Sequence, residues 1–206
     1  MLDGLARRLI DPPLDLAGRG LARAGVSADA VTWAGLGAGL AAAAAIAFGQ
    51  FWLGLAFIFL SRLADGLDGA VARATAKTDL GGYLDIVFDF FFYGAVPLGF
   101  VLADPAANGV AGAVLLASFY ANGATFLAFA IMAERHALHT ERRGVKSLYF
   151  TTGLAEGTET IAVFILWCLF PGWFAIVATI FAGICFLTAG ARVALALATF
   201  AEKRSE

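Results

Sequence analysis

Four of the five aspartates in the stretch DGLDGAVARATAKTDLGGYLDIVFD, Asp65, Asp68, Asp85 and Asp89, stand between and inside long apolar runs. An aspartate at the centre of a bilayer costs about 2.5–3.5 kcal/mol on insertion scales, so four facing lipid would cost on the order of 10 kcal/mol. That is comparable to the whole stability of a folded domain, so the four are expected to be clustered, hydrated or neutralised. Helix geometry allows clustering. Asp65 and Asp68 are three positions apart, about 60° around a helix and about 4.5 Å along it; Asp85 and Asp89 are four apart, about 40° and about 6 Å. Each pair shares one helix face, and two such faces on antiparallel neighbours joined by a short connection can meet. Four converging carboxylates form a hard-oxygen site suited to Mg²⁺ or Mn²⁺, two ions sharing ligands. No histidine or thiolate accompanies them, which disfavours zinc and copper.

The residues between the acids say what else has to fit. Gly69 and Ala72 follow Asp65 by four and seven positions and continue its stripe as a surface without bulk, where a flat ligand can approach. Gly81 and Gly82 precede Asp85 by four and three, giving the facing helix a similar bare patch. Arg73 brings a planar fork of donors for an oxyanion at the edge of the site. Arg62, three residues before Asp65, reads as charge balance for the acids.

The elements that must carry these residues are membrane helices. Of 206 residues, 61% are hydrophobic and 15% charged, and the mean hydropathy is +0.83, outside the usual soluble range. The fold class expected is all-α: a polytopic membrane protein with six transmembrane helices and an N-terminal amphipathic interfacial helix. Spans of roughly 20 apolar residues are expected at 31–48, 51–74, 81–102, 110–133, 151–170 and from 173 past Arg192, with Ser27 or Asp29 capping the first. Strand periodicity is absent. The organisation expected is a single domain over 1–206, with an interfacial segment at 1–26 and a six-helix bundle at 27–203. The segment divides at the Pro12-Pro13 break, after which Leu14, Ala17, Leu21 and Ala24 form an apolar face opposite Asp15, Arg19 and Arg23. Gly35 and Gly39 are spaced for close helix contact.

Three short connections, at 49–50, 103–108 and 171–172, carry none of the 14 Lys and Arg. By the positive-inside rule both termini and the acidic site are cytoplasmic, in a multi-pass cell (inner) membrane protein. No cleaved signal peptide is expected, because MLDGLARRLIDPP lacks an uninterrupted apolar run behind its basic residues. Cys168 and Cys185 lie in separate apolar segments without CxxC spacing and read as buried small side chains, not as a disulfide or a zinc site.

The acidic stretch resembles the signature of the CDP-alcohol phosphotransferases, DxxDGxxAR, about eight residues, then GxxxDxxxD. Here it reads Asp65, Asp68, Gly69, Ala72, Arg73, then Gly81, Asp85 and Asp89. Seven residues, 74–80, separate Arg73 from Gly81, one fewer than usual; counting to Gly82 restores eight but leaves two before Asp85, so either glycine can face the nucleotide. Residues 149–161, YFTTGLAEGTETI, are similar to one bacterial branch of the family. The resemblance implies attack by an acceptor hydroxyl on the phosphate next to the alcohol of a CDP-alcohol, CDP-diacylglycerol in phospholipid synthesis, with release of CMP. It implies Asp65, Asp68 and Asp85 as metal ligands and Asp89 as ligand and general base. Gly69, Ala72 and Arg73 would hold the cytidine diphosphate, with Gly81 or Gly82 closing the other side. A homodimer in the lipid bilayer is implied too, and no nucleic-acid partner.

For the polar acceptor alcohol the candidates are Arg142, Arg143 and Lys146 in a basic loop, Glu156 and Glu159 near Thr158 and Thr160, and Arg192 deep in the last helix. Each has a plainer reading: cytoplasmic loop charge, carboxylates favoured at a helix start, and an arginine that snorkels or pairs with Glu156 or Glu159. His136 and His139 read as loop histidines. A divalent-cation transporter or a membrane prenyltransferase also places carboxylates among helices. The first needs no Gly69, Ala72, Arg73 arrangement, and the second is disfavoured by six spans and this motif order.

Overall fold

The computed structural model describes residues 3–135 and 157–201. Their order is α1 (Asp3–Arg23), α2 (Ala28–Ala47), α3 (Phe51–Ala74), α4 (Asp79–Ala103), α5 (Pro105–Arg135), α6 (Gly157–Leu169), a 3₁₀ turn at Pro171–Trp173 and α7 (Phe174–Ala201). The described residues contain no strand.

Local chemistry sets the helix ends. The Ser27 hydroxyl accepts from the Ala30 amide at 3.2 Å and caps α2, while Asp29 lies in the first turn, where the helix dipole favours it. Thr78 caps α4 in the same way, accepting from Gly81 at 3.0 Å. At the end of α2, Gly49 takes φ +74°, and the amides of Gly49 and Gln50 return to the carbonyls of Ile46 and Ala45; only glycine adopts that turn without strain. Much of the loop expected at 103–108 is helix. Asp104 caps α5 by accepting from Ala107 at 3.0 Å, and Pro105 starts it, because the first helical position needs no amide donor.

Among the described residues, four stretches are long and apolar enough to cross a bilayer: α2, α4, α5 and Pro171–Phe200. Helices stand at all six expected places, α3 and α6 being the other two. α3 has 24 residues yet carries Arg62, Asp65 and Asp68 before its last turn, and α6 has 13 described residues.

The chain gathers into two compact units, residues 1–109 with 164–172, and residues 110–163 with 173–206. In the first, α2 packs along both α3 and α4, and α1 packs on α3. Missing side chains permit this. A methyl on Gly35 would stand 3.1 Å from the Ala64 Cβ, one on Gly39 would stand 2.9 Å from Phe92, and one on Gly99 would stand 2.6 Å from the Ala43 carbonyl oxygen. Helix association in lipid rests on such close van der Waals contact, since burial from lipid gains no hydrophobic free energy. Ile58, Phe92, Phe100, Phe164 and Trp167 fill the interior, and Phe100 meets Trp167 edge to face with centroids 5.7 Å apart.

The interfacial segment departs from expectation at its expected break. α1 runs through Pro12 and Pro13 without a break; each proline forgoes one amide donor but keeps a helical φ. The contact of α1 with α3 is made through Gly18, which is buried, while Ala17 and Ala24 are exposed. A methyl on Gly18 would stand 2.6 Å from the Ala70 Cβ, and Leu14 lies over Gly66. The helix docks on α3 by its least bulky ridge.

In the second unit, Phe119 meets Phe181 edge to face at 6.0 Å and Phe129 meets Phe200 at 5.4 Å, while Phe174, Ala178 and Ala182 are fully buried. Cys168 and Cys185 are free and buried, as their apolar surroundings in the sequence suggested.

Candidate active site

Asp65 and Asp68 belong to the second half of α3, and Asp85 and Asp89 to the first half of α4. Because each helix packs along α2, their acidic faces meet over its Thr32, Gly35 and Leu36. All four carboxylates line one small cavity of about 10 Å³, walled by Phe88 and Phe92, roughly the room one water needs. Asp68 is buried and Asp85 exposed.

Arg62 also lines this cavity. Its Nη1 donates to Asp89 Oδ1 at 2.8 Å and lies 3.5 Å from Asp65 Oδ2. Charge balance, expected from its place in the sequence, is what the side chain provides. The lining holds four carboxyl groups and one guanidinium. Such a donor set, all hard oxygen, fits a divalent cation. Among the described residues no three acidic, histidine or cysteine side chains stand close enough together to hold one ion, and two of the four acids face Arg62 instead.

A second, open cavity of about 580 Å³ adjoins the first and shares Thr32, Asp68 and Asp85 with it. Gly69, Ala72, Arg73, Gly81 and Gly82, the residues the sequence marked for a flat, charged ligand, all line this groove. A side chain on Gly69 would meet only Arg73 Nη1, at 3.3 Å. Gly81 and Gly82 differ. A methyl on Gly81 would press on the capping Thr78 hydroxyl at 3.0 Å, whereas one on Gly82 would project into open space. Arg73 is oriented from outside its own helix: Nε and Nη2 both donate to Asp15 Oδ1 of α1, at 3.1 and 2.7 Å.

Several lining residues were not singled out as site residues. Asp29 and Thr32 lie at i, i+3 on α2 and Lys77 in the α3–α4 turn; Asp15 of α1 is outside the lining and bears on the groove through Arg73. The available signal was Asp29 and Thr32 as polar residues at the start of an otherwise apolar span. Asp15 gave none, because its pairing with Arg73 spans 58 positions.

Of the acceptor candidates, Arg142, Arg143, Lys146 and Glu156 lie outside the described residues, as do His136 and His139. Glu159 sits in the first turn of α6, and its Oε2 is buried without a hydrogen-bond partner among the described residues. Arg192 donates from Nη1 to Asn122 Oδ1 at 2.6 Å and to the Asn122 carbonyl at 3.2 Å, with its guanidinium 5.4 Å from the Phe126 ring centre. Both residues belong to the second unit.

Comparison with known proteins joins these features to a family. The model of the CDP-alcohol phosphatidyltransferase family matches residues 26–190. The chain is 46% identical over 193 residues to Inner membrane protein YnjF of Escherichia coli (strain K12), covering 94% of each chain. It is 30% identical over 158 residues, 76% of this chain and 70% of the relative, to archaetidylinositol phosphate synthase of Methanothermobacter thermautotrophicus. Its fold is similar to that of Mycobacterium tuberculosis phosphatidylinositol phosphate synthase. With CDP-DAG bound, that structure gives a TM-score of 0.70 at 22% identity, over 89% of this chain and 93% of the other. In complex with manganese and citrate it gives 0.71 at 23% identity, over 88% and 87%. At those identities the likeness shows the fold alone.

Proposed function

The chain belongs to the CDP-alcohol phosphatidyltransferase family and is a membrane phosphatidyltransferase; from that premise we propose that it transfers a phosphatidyl group from CDP-diacylglycerol to a polar acceptor hydroxyl, releasing CMP. One observation carries this reading: a four-carboxylate cavity opens into a groove lined by Gly69, Ala72, Arg73, Gly81 and Gly82, with Thr32, Asp68 and Asp85 common to both. That arrangement can seat a diphosphate across the boundary, its nucleotide in the groove and its reacting phosphorus beside the acids.

The division of labour follows from the side chains. Gly69 and Ala72 let the cytidine lie close to α3, and Arg73, steadied by Asp15, offers its fork to a phosphate oxygen. Gly82 leaves the opposite wall bare. Asp89 accepts the proton of the acceptor hydroxyl as that oxygen bonds to phosphorus and the bond from phosphorus to the CMP oxygen breaks. Asp65, Asp68, Asp85 and Asp89 are the residues that would hold Mg²⁺ or Mn²⁺, two ions by the family resemblance. Bound there, such ions supply neutralisation of the diphosphate and of departing CMP.

An inner-membrane location with both termini and this site cytoplasmic, α3 and α6 completing six spans, α1 at the interface and a homodimeric assembly belong to the same proposal. They rest on the charge pattern of the loops, the relatives and the resemblance. The deciding experiment incubates purified protein with CDP-diacylglycerol and Mg²⁺ or Mn²⁺ against a panel of acceptors. Inositol phosphate goes first, given the relatives' names, followed by glycerol phosphate, inositol and serine. Metal-dependent CMP release with one acceptor is the expected result. No CMP release with any acceptor in either metal would defeat the reading.

A further inference from the structure

Arg62 is more than one charge among several. Its side chain is 16% exposed, and its guanidinium lies 4.0 Å over the Phe92 ring and 5.9 Å from that of Tyr93. Nη1 joins Asp89 of α4 to Asp65 of its own helix. Nη2 donates at 3.3 Å to the Ser61 hydroxyl, which donates at 2.9 Å to the Gly35 carbonyl of α2. One guanidinium thus ties together the three helices that form the cavity. Its Nε is buried without a hydrogen-bond partner among the described residues, so the side chain is held there by charge and ring contact, at the expense of one donor.

Two consequences follow from elementary electrostatics. Carboxylates withdrawn from water need a counter-charge, and for Asp65 and Asp89 the guanidinium is the one in contact. The oxygens it holds are also those a divalent cation would take, and its positive charge opposes a second cation entering the same small cavity.

We propose that Arg62 is a positioning residue that acts as the site's resident counter-ion, holding Asp65 and Asp89 together before a divalent cation arrives and lowering the affinity with which that cation binds. The proposal deepens the reading given above and rests on it for the identity of the competing ion. Arg62 touches neither transferred group. It sets the starting state of the acids that do the chemistry.

The test uses the full chain in nanodiscs and two readouts, Mn²⁺ affinity by electron paramagnetic resonance titration and melting temperature in EDTA. Arg62→Gln is expected to bind Mn²⁺ about tenfold tighter or more, within the usual range of coupling between sites. It should also melt below wild type in EDTA and recover with Mn²⁺. Arg62→Lys keeps the charge and should resemble wild type in both. The double variant Arg62→Gln with Asp89→Asn removes charge and counter-charge together and should melt in EDTA near wild type, even where the single variant does not fold. The proposal is overturned if Arg62→Gln binds Mn²⁺ no tighter than wild type. It is overturned equally if the double variant melts as low as Arg62→Gln, which would make packing against Phe92 the role of the side chain. A wild-type protein that binds no Mn²⁺ sinks the metal reading and the competition with it, whereas the EDTA melting series tests the counter-charge independently of any metal.

Discussion

The two adjoining cavities are built by opposite means. The acidic one is about 10 Å³, flanked by Phe88 and Phe92 and crossed by an arginine; the groove is about 580 Å³, open, with Gly69, Ala72, Gly81 and Gly82 in its walls beside Arg73. In the first, function depends on charged groups held close together; in the second, on space left by small residues beside one oriented arginine. Substitutions should therefore act differently in the two places: chemical change without loss of binding in the cavity, loss of binding without chemical change in the groove.

The largest expected effect breaks the cavity side. Asp89→Asn keeps shape but loses the proton acceptor, so CMP release should fall by roughly 10²–10⁴, while thermal melting in nanodiscs stays close to wild type. Near-normal turnover by this variant would remove Asp89 as the base.

Next comes the groove, where the two glycines separate. Gly82→Leu projects into open space and should raise KM for CDP-diacylglycerol about tenfold, the scale of one or two lost contacts, with kcat little changed. Gly81→Ala presses on the Thr78 cap and should instead lower stability by about 0.5–2 kcal/mol, the usual weight of an N-cap, read as a drop in melting temperature. If the two variants exchanged phenotypes, the groove would be lined by Gly81 and not Gly82.

The smallest effect tests the link between α1 and the groove. Asp15→Asn weakens a partly exposed ion pair worth about 0.2–1 kcal/mol and frees Arg73 to adopt other rotamers. A few-fold rise in KM, unaccompanied by change in kcat or in melting, is expected from a steady-state assay over a range of CDP-diacylglycerol. An unchanged KM would show that Arg73 needs no support from α1.

Much of this molecule was legible along the chain. The helix start at Ser27 and the break at Gly49-Gln50 followed from residue type and from where the apolar runs pause, since capping and left-handed turns are local matters. The acidic pairs, the bare stripe at Gly69 and Ala72, and the glycines facing it were equally visible, because helical periodicity converts spacing into shared faces. Less legible was which ridge of α1 packs on α3. Close approach to Ala70 is made at Gly18, a choice that depends on the partner helix. Nor did the sequence show how α3 accommodates its charges: the pairing of Arg62 with Asp65 and Asp89 depends on how α3 and α4 pack.

By itself, then, the order of residues determined that this is a helical membrane protein, that four carboxylates and a set of small residues share helix faces, and which family signature they spell. Those properties are short-range: they depend on 1.5 Å of rise and about 100° of turn per residue and on side-chain chemistry. Tertiary structure alone decided that α2 forms the floor beneath both acidic faces, that Arg62 reaches across 27 positions to Asp89, and that Asp15 orients Arg73 across 58. Contacts of that kind arise only after helices pack, because a side chain meets a distant partner according to where two surfaces fit closely, and that fit is a property of the pair.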